Sequence, residues 1–173
     1  PKDELNHATW ALLLTQAKYK CFVDQSDSLV NIAHDYFMKG DDAQRKALAL
    51  YHKAVLYEEK NQTENALTYY LEAVDIMDTI NDDRLRYLIY ARIAFIYSNR
   101  QLYDYADTYM EKAMKCALSS QDNYYIANSY NNMARLNYAK KNYTLAIKYY
   151  DKAIEFGRIS QNQVLLNNTI QEK

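Results

Sequence analysis

The stretch YTLAIKYYDKAI, residues 143–154, places two alanines seven positions apart, Ala146 and Ala153, around a pair of tyrosines. Residues 63–74, TENALTYYLEAV, and residues 103–114, YDYADTYMEKAM, align with it without gaps, each segment forty residues from the next. A fixed period of about 20 to 50 residues is typical of an array of stacked supersecondary units. We therefore read the chain first as a repeat protein.

Small and large side chains alternate along one face of each segment. Positions i, i+4, i+7 and i+11 share a helical face, and alanines one heptad apart on it let a neighbouring helix approach while the bulky residue between them fills the gap. Each segment is therefore predicted to be a helix in close contact with another. The three faces are Ala66, Tyr70, Ala73, Met77; Ala106, Met110, Ala113, Ala117; and Ala146, Tyr150, Ala153, Gly157.

A second helix of the same register is predicted before each segment, as in Tyr90, Ile93, Ala94 and Tyr97. Polar breaks join the two helices of a pair, and the breaks between pairs, TINDDR and SSQDN, contain Asp and Asn suited to cap the next helix. The chain has two glycines and one proline, so turn chemistry for strands is scarce. We predict an all-α chain of helical hairpins.

At these positions the chain resembles the tetratricopeptide repeat family. The resemblance rests on the large, small and aromatic pattern of the first helix (Tyr90, Ala94, Tyr97) and on the aromatic residue and alanine that open the second (Tyr103, Ala106), and it covers about residues 47–160. The period of forty exceeds the usual 34 of the family, and Lys53 stands where an apolar residue is expected. The resemblance implies a right-handed α-α superhelix with a concave groove.

The expected organisation is a single domain. Residues 1–46 are predicted to form a degenerate N-terminal helical pair, residues 47–86, 87–126 and 127–160 three repeats, and residues 161–173 the start of a further or capping helix. That last segment carries Val164, Leu165, Leu166 and Ile170 at helical spacing, and we expect its apolar side to be exposed or paired with a second copy in a homodimer.

Composition argues against several classes of partner. The formal net charge is −1 and the longest basic run is Lys140–Lys141, which gives no electrostatic footprint for nucleic acid. No apolar run in the sequence approaches the roughly 18 to 20 residues that cross a bilayer, and no stretch of it has the pattern of a signal peptide. Because the chain lacks an initiator Met and stops within an apparent helix, we expect a processed or excised fragment. Cys21 and Cys116 are expected to be buried thiols, which leaves the redox compartment open.

No pattern predicts catalysis or a cofactor. Gly40 and Gly157 stand alone, whereas a phosphate-binding loop needs several glycines. His7, His34 and His52 lack the spacing of zinc ligands, and the acidic residues before position 84 suit helix capping better than acid–base chemistry. We predict neither an enzyme nor a metal or cofactor site. The nineteen tyrosines are interpreted as repeat packing, with Tyr51 and Tyr138 as the better candidates for ligand contact.

Candidate binding residues follow from the resemblance, in which the first helix of each hairpin lines the groove. Carrying those positions over predicts one group of residues in each hairpin, and the third group is amide-rich with one arginine, able to bond a peptide backbone or a carboxylate. The set is Tyr51, Val55, Glu58; Arg92, Phe95, Asn99; and Asn128, Asn131, Arg135, Tyr138.

The preferred functional hypothesis is a scaffold that binds a protein or peptide. The Tyr-rich units resemble bacterial regulators whose repeat region precedes a transmembrane helix and a cytoplasmic signalling module, which implies an extracytoplasmic sensor or assembly domain. The alternatives are a cytoplasmic regulator that binds a signalling peptide and a module for homo-oligomerisation.

Overall fold

The computed structural model describes residues 2–173, and every regular element in that range is a helix. The all-α fold is confirmed. The helices are α1 (Lys2–Lys20), α2 (Asp27–Phe37), α3 (Ala43–Glu59), α4 (Thr63–Met77), α5 (Asp83–Asn99), α6 (Tyr103–Ser120), α7 (Asn123–Ala139), α8 (Tyr143–Ile159) and α9 (Gln163–Glu172).

These helices form two compact units. The first ends at Asn81 and contains α1 to α4, and the second, Asp82–Lys173, contains α5 to α9. Consecutive helices joined by short turns pack on each other: α3 on α4, α5 on α6 and α7 on α8, while α5 also contacts α7. The predicted division into a helical pair and three repeats starting at 47, 87 and 127 stays a prediction.

Helix starts repeat at intervals of forty residues. Helices α3, α5, α7 and α9 begin at 43, 83, 123 and 163, and the residue before each start is Asp or Asn. In each case the side chain accepts a hydrogen bond from a backbone N–H of the first turn, at 2.9 to 3.0 Å. Such a cap stabilises a helix by about 1 kcal/mol. The capping role predicted for the breaks TINDDR and SSQDN is confirmed at Asp82 and Asp122, and Asp42 and Asn162 cap α3 and α9 in the same way.

The turn inside each hairpin is also repeated. After α7, Lys141 takes a left-handed conformation with φ 65°, its N–H donates to Tyr138 O at 2.9 Å, and the N–H of Asn142 donates to Asn137 O at 2.8 Å. This pair of bonds is the Schellman motif, which satisfies carbonyls that the helix end leaves open. The same two bonds follow α3 and α5, with Asn61 and Gln101 as the left-handed residues.

Replacing Lys141 with glycine should raise the free energy of unfolding by about 0.5–1 kcal/mol, because a left-handed conformation is costly for a residue with a Cβ and free for glycine. Chemical denaturation followed by circular dichroism measures the gain. Asn61→Gly is the matched control, since asparagine tolerates this conformation better than lysine, and its gain should be smaller. A larger gain at Asn61 than at Lys141 would contradict the explanation.

The alternating faces lie in the core as predicted. Ala66, Ala106 and Ala146 are 0 to 2% exposed, and the bulky residues between the alanines are also buried. Tyr70, for example, has no exposed surface. The alanines of helices α4, α6 and α8 therefore lie against neighbouring helices, and large side chains fill the space beside them.

Most tyrosine rings pack against one another within hairpins. Tyr149 stacks on Tyr130 with ring centroids 6.2 Å apart, and forty residues earlier Tyr109 packs on Tyr90 at 6.0 Å. These contacts agree with the interpretation of the tyrosines as packing residues. Tyr51 also belongs to the core, at 1% exposed, and only Tyr138 of the two predicted exceptions is open to solvent, at 61%.

Lys53 stands where the repeat pattern predicts an apolar residue, and its buried side chain contacts polar and aromatic partners. It is 9% exposed, its ammonium donates to the side-chain oxygen of Asn31, and it lies 5.8 and 5.9 Å from the ring centroids of Tyr57 and Tyr69. A buried ammonium requires such partners because desolvation of an isolated charge is costly.

One expectation about exposure is wrong, and a second holds only in part. Cys21 is exposed, because it follows the last turn of α1, whereas Cys116 is buried as expected. In α9, Leu165 is 8% exposed and Leu166 is half-buried near Gly157 of α8. The exposed apolar side of α9 therefore consists of Val164 and Ile170.

Candidate functional site

A cavity of about 620 Å³ opens in the second unit between helices α5 and α7. Met110 of α6 and Tyr150 of α8 also line it, and the end of α9 borders it through Glu172 and Lys173. These helices meet here because α7 packs on α5, α6 and α8, and α9 packs on α8. The cavity is thus built from the first helices of consecutive hairpins.

The lining combines an apolar floor with a polar rim. Ala91 and Ala94 of α5 are small, and they leave room that larger side chains would fill. Phe95 and Tyr138 are 46% and 61% exposed, so two aromatic rings are available to a ligand. Polar lining residues are Ser98, Asn99, Asn132, Arg135, Glu172 and Lys173.

Two ion pairs hold the end of α9 beside the cavity. Arg135 Nε lies 3.6 Å from Glu172 Oε2, and their side chains are 55% and 33% exposed. Lys173 Nζ lies 2.5 Å from Asp151 Oδ1 of α8. Since both pairs are partly exposed, each stabilises the fold by at most about 1 kcal/mol.

Tyr150 places a hydroxyl near these charges. Burial raises the pKa of its hydroxyl, and the negative charge of Glu172 raises it further, while Arg135 acts in the opposite direction. The hydroxyl therefore stays protonated at neutral pH and can donate a hydrogen bond.

The structure brings four of the ten predicted groove residues to this cavity: Phe95, Asn99, Arg135 and Tyr138.

Three other residues predicted on the same two helices do not line it: Arg92, Asn128 and Asn131. The Asn128 amide donates to Tyr124 O in its own helix at 3.1 Å. Asn131 is 7% exposed, and within residues 2–173 its side-chain oxygen has no hydrogen-bond partner.

Two of the three groove residues predicted in the first unit, Tyr51 and Val55, are not open to a ligand. Tyr51 and Val55 are 1% and 3% exposed, because they lie on the buried side of α3. Tyr51 donates its hydroxyl hydrogen bond to Tyr19 at 2.9 Å. Glu58 is half-buried and accepts a hydrogen bond from Tyr70 at 2.5 Å. The prediction that Tyr51 and Val55 line a groove is therefore corrected by their burial.

Sequence comparison matches this architecture to a known family. Two models, each described as tetratricopeptide repeat, match residues 47–76 and residues 85–158. The chain belongs to the tetratricopeptide repeat family. Tetratricopeptide repeats generally mediate protein–protein interaction, and the family is typically non-catalytic. No curated protein matched the sequence.

The repeat fold also has a solved counterpart. The crystal structure of BtubC (BKLC) from P. vanneervenii superposes with a TM-score of 0.64 over 98% of this chain and 83% of that one. The sequence identity is 14%, so the likeness concerns the fold alone.

The forty-residue spacing of the repeats identifies two cavity residues, Asn132 and Glu172, that the sequence analysis missed. Arg92, Asn132 and Glu172 are forty residues apart, and two of them line the cavity. Asn132 follows the predicted Asn131 by one residue, which is a rotation of about 100 degrees on a helix. Glu172 belongs to α9, which had been considered only for its apolar side. Following the forty-residue register through α9 would have found both.

Other kinds of site receive no support within residues 2–173. No cluster there of three or more His, Cys, Asp or Glu side chains is arranged to hold a metal ion. None of the helices in the same range combines the length and apolar character needed to span a bilayer.

Proposed function

We propose that this tetratricopeptide repeat protein is a non-enzymatic scaffold that binds an extended peptide segment of a partner protein in the cavity between α5 and α7. The observation that carries the proposal is the combination, in one cavity, of two exposed aromatic rings, Phe95 and Tyr138, with the amides of Asn99 and Asn132. The general role of the family in protein–protein interaction supports the same conclusion.

Each group in the cavity suits one part of a peptide. Exposed aromatic rings provide large apolar contacts at a low entropic cost, and such residues often contribute most of the binding energy. Side-chain amides carry both donors and acceptors, so they match the alternating N–H and C=O groups of an extended backbone. A volume of about 620 Å³ falls within the range of pockets that hold a few side chains.

Replacing Phe95 and Tyr138 together with alanine should weaken peptide binding at least about tenfold, because each removes a large contact from the cavity. The probe is a peptide selected from a random display library on the full 173-residue chain, and titration calorimetry measures its affinity. Both side chains are substantially exposed, so the free energy of unfolding should change by no more than about 1 kcal/mol.

Leu118→Ala is the matched control. Leu118 is 49% exposed on α6 and does not line the cavity, so its replacement should leave peptide affinity unchanged. Equal affinities for the Phe95/Tyr138 double variant and the wild-type protein would place the binding surface elsewhere and overturn the proposal.

The narrower roles rest on resemblance and stay predictions: a sensor or assembly domain of a bacterial regulator outside the cytoplasm, or a cytoplasmic regulator that binds a signalling peptide. Homodimerisation through α9 also stays a prediction, and its contact residues would be Val164 and Ile170 rather than the buried Leu165.

A further inference from the structure

The guanidinium of Arg135 is held by a weak contact. Its Nε lies 3.6 Å from Glu172 Oε2, which exceeds hydrogen-bond length, and the Arg135 side chain is 55% exposed. Among residues 2–173 this is its only ion pair. A guanidinium presents five N–H donors in a planar fork, so a single long contact leaves most of its capacity unused.

The lining of the cavity carries one more cationic side chain than carboxylate side chains. Two cationic side chains, Arg135 and Lys173, line it against one carboxylate, Glu172. Lys173 is paired with Asp151 on α8, which leaves Arg135 as the better placed group for an incoming carboxylate. A carboxylate that approaches Arg135 side-on forms two parallel charge-assisted hydrogen bonds, which are shorter and stronger than the present contact.

Apolar groups lie on the same wall. Phe95, forty residues before Arg135, occupies the equivalent position of α5, and Leu136 adjoins Arg135 in the lining. A peptide that places a carboxylate on Arg135 would therefore place a neighbouring side chain on an apolar surface that includes the exposed Phe95 ring.

We propose that the site binds a peptide carrying an acidic side chain next to an apolar one, and that Glu172 of α9 occupies the place of this acidic group until the peptide displaces it. This rests on the proposed function and specifies its ligand. Displacement costs little because a partly exposed ion pair contributes weakly to stability. Helix α9 thus acts as an internal competitor for the site.

The test uses a peptide selected on the full chain from a random display library and then synthesised with acetylated and amidated ends, so that its only carboxylates are side chains. The matching probe has its acidic residues replaced by the corresponding amides. We expect the amide form to bind at least about tenfold more weakly, and Arg135→Gln to weaken the acidic form by a similar factor, while the amide form is little affected.

Glu172→Gln should strengthen binding of the acidic peptide by up to about fivefold, since the competing carboxylate is gone. Glu155→Gln, an equal charge change at an exposed position of α8 outside the cavity, is the matched control and should alter the affinity much less. Arg158→Gln removes a positive charge at an exposed position of α8 outside the cavity, so it is the matched control for Arg135→Gln.

The outcomes separate the two proposals. If binding depends on Phe95 and Tyr138 but is indifferent to the acid-to-amide change, the cavity binds peptides and the acidic specificity is wrong. If binding depends on the acid-to-amide change but is indifferent to Glu172→Gln, the competitor role of Glu172 is wrong. If selected peptides bind with no dependence on Phe95 and Tyr138, the proposed function itself fails, and this inference fails with it.

Discussion

Replacing Tyr70 with alanine should lower the free energy of unfolding by about 3–5 kcal/mol, the cost of removing a large buried aromatic side chain. Tyr70 has no exposed surface and lies on the face of α4 between Ala66 and Ala73. Because these alanines bring a neighbouring helix close, the surrounding structure has little freedom to collapse into the vacated space. Urea denaturation followed by circular dichroism measures the loss.

Tyr70→Phe is the matched control, since it keeps the ring and removes the hydroxyl that donates a hydrogen bond to Glu58. Its expected cost is about 1–3 kcal/mol, in the range for a hydrogen bond to a charged group. A cost for alanine no greater than that for phenylalanine would show that the ring does not fill the space between the helices.

Acidification from pH 6.5 to pH 4 should destabilise the protein by about 3 kcal/mol through His52 alone. His52 is 3% exposed on α3, with the rings of Tyr19 and Tyr51 at 5.7 and 5.2 Å. Within residues 2–173 its Nδ1 has no hydrogen-bond partner. Burial disfavours the charged imidazolium and lowers the pKa of His52 from 6.5 to about 4.

The sign follows from proton uptake in the two states. Below pH 6.5 the unfolded chain binds a proton at His52 that the folded chain does not bind until about pH 4, so each step of acidification in this window favours unfolding. Above the window the contribution of His52 is fully present, and below about pH 4 it has been lost. The free energy of unfolding at several pH values between 7.5 and 4 measures the effect.

His52→Phe isolates this contribution, because carboxylates titrate in both proteins while the imidazole titrates in only one. The difference in stability between wild type and variant should shift in favour of the variant as the pH falls through the window. The hydrogen bond with His34 lowers the pKa of Asp35 below its ordinary value of 3.8, so Asp35 gains its proton at a pH below the window. Parallel pH profiles for the two proteins would contradict the assignment.

The candidate site was only partly predictable from the sequence. Four predicted residues line the cavity, and two of them, Arg135 and Tyr138, belong to the third hairpin. At one position of that hairpin, however, Asn132 faces the cavity while the predicted Asn131 is buried. Neighbouring residues on a helix differ in direction by about 100 degrees, so a transferred register must be correct to the residue. Asn131 and Asn132 are adjacent and chemically identical, so the local sequence does not indicate which of them faces the cavity.

The first unit illustrates a second limit. Tyr51 occupies a groove position by register, yet its ring is buried and its hydroxyl bonds to Tyr19. Tyr19 lies 32 residues earlier, in α1, outside the segment that carries the repeat. Whether a tyrosine faces solvent or a partner depends on which helix covers it, and a degenerate helix that departs from the repeat gives no spacing from which to infer this.

The order of residues was enough to predict the helices, the caps in the breaks before α5 and α7, and the faces on which small and large side chains alternate. These features depend on hydrogen bonds and spacings within a few turns of one helix, which are visible in the order of residues. The packing of the helices, by contrast, places Phe95, Asn132, Arg135 and Glu172 around one cavity and buries Tyr51 away from it. That outcome depends on how helices forty residues apart lie against each other and on which side chains they remove from water, and neither is a property of any single helix.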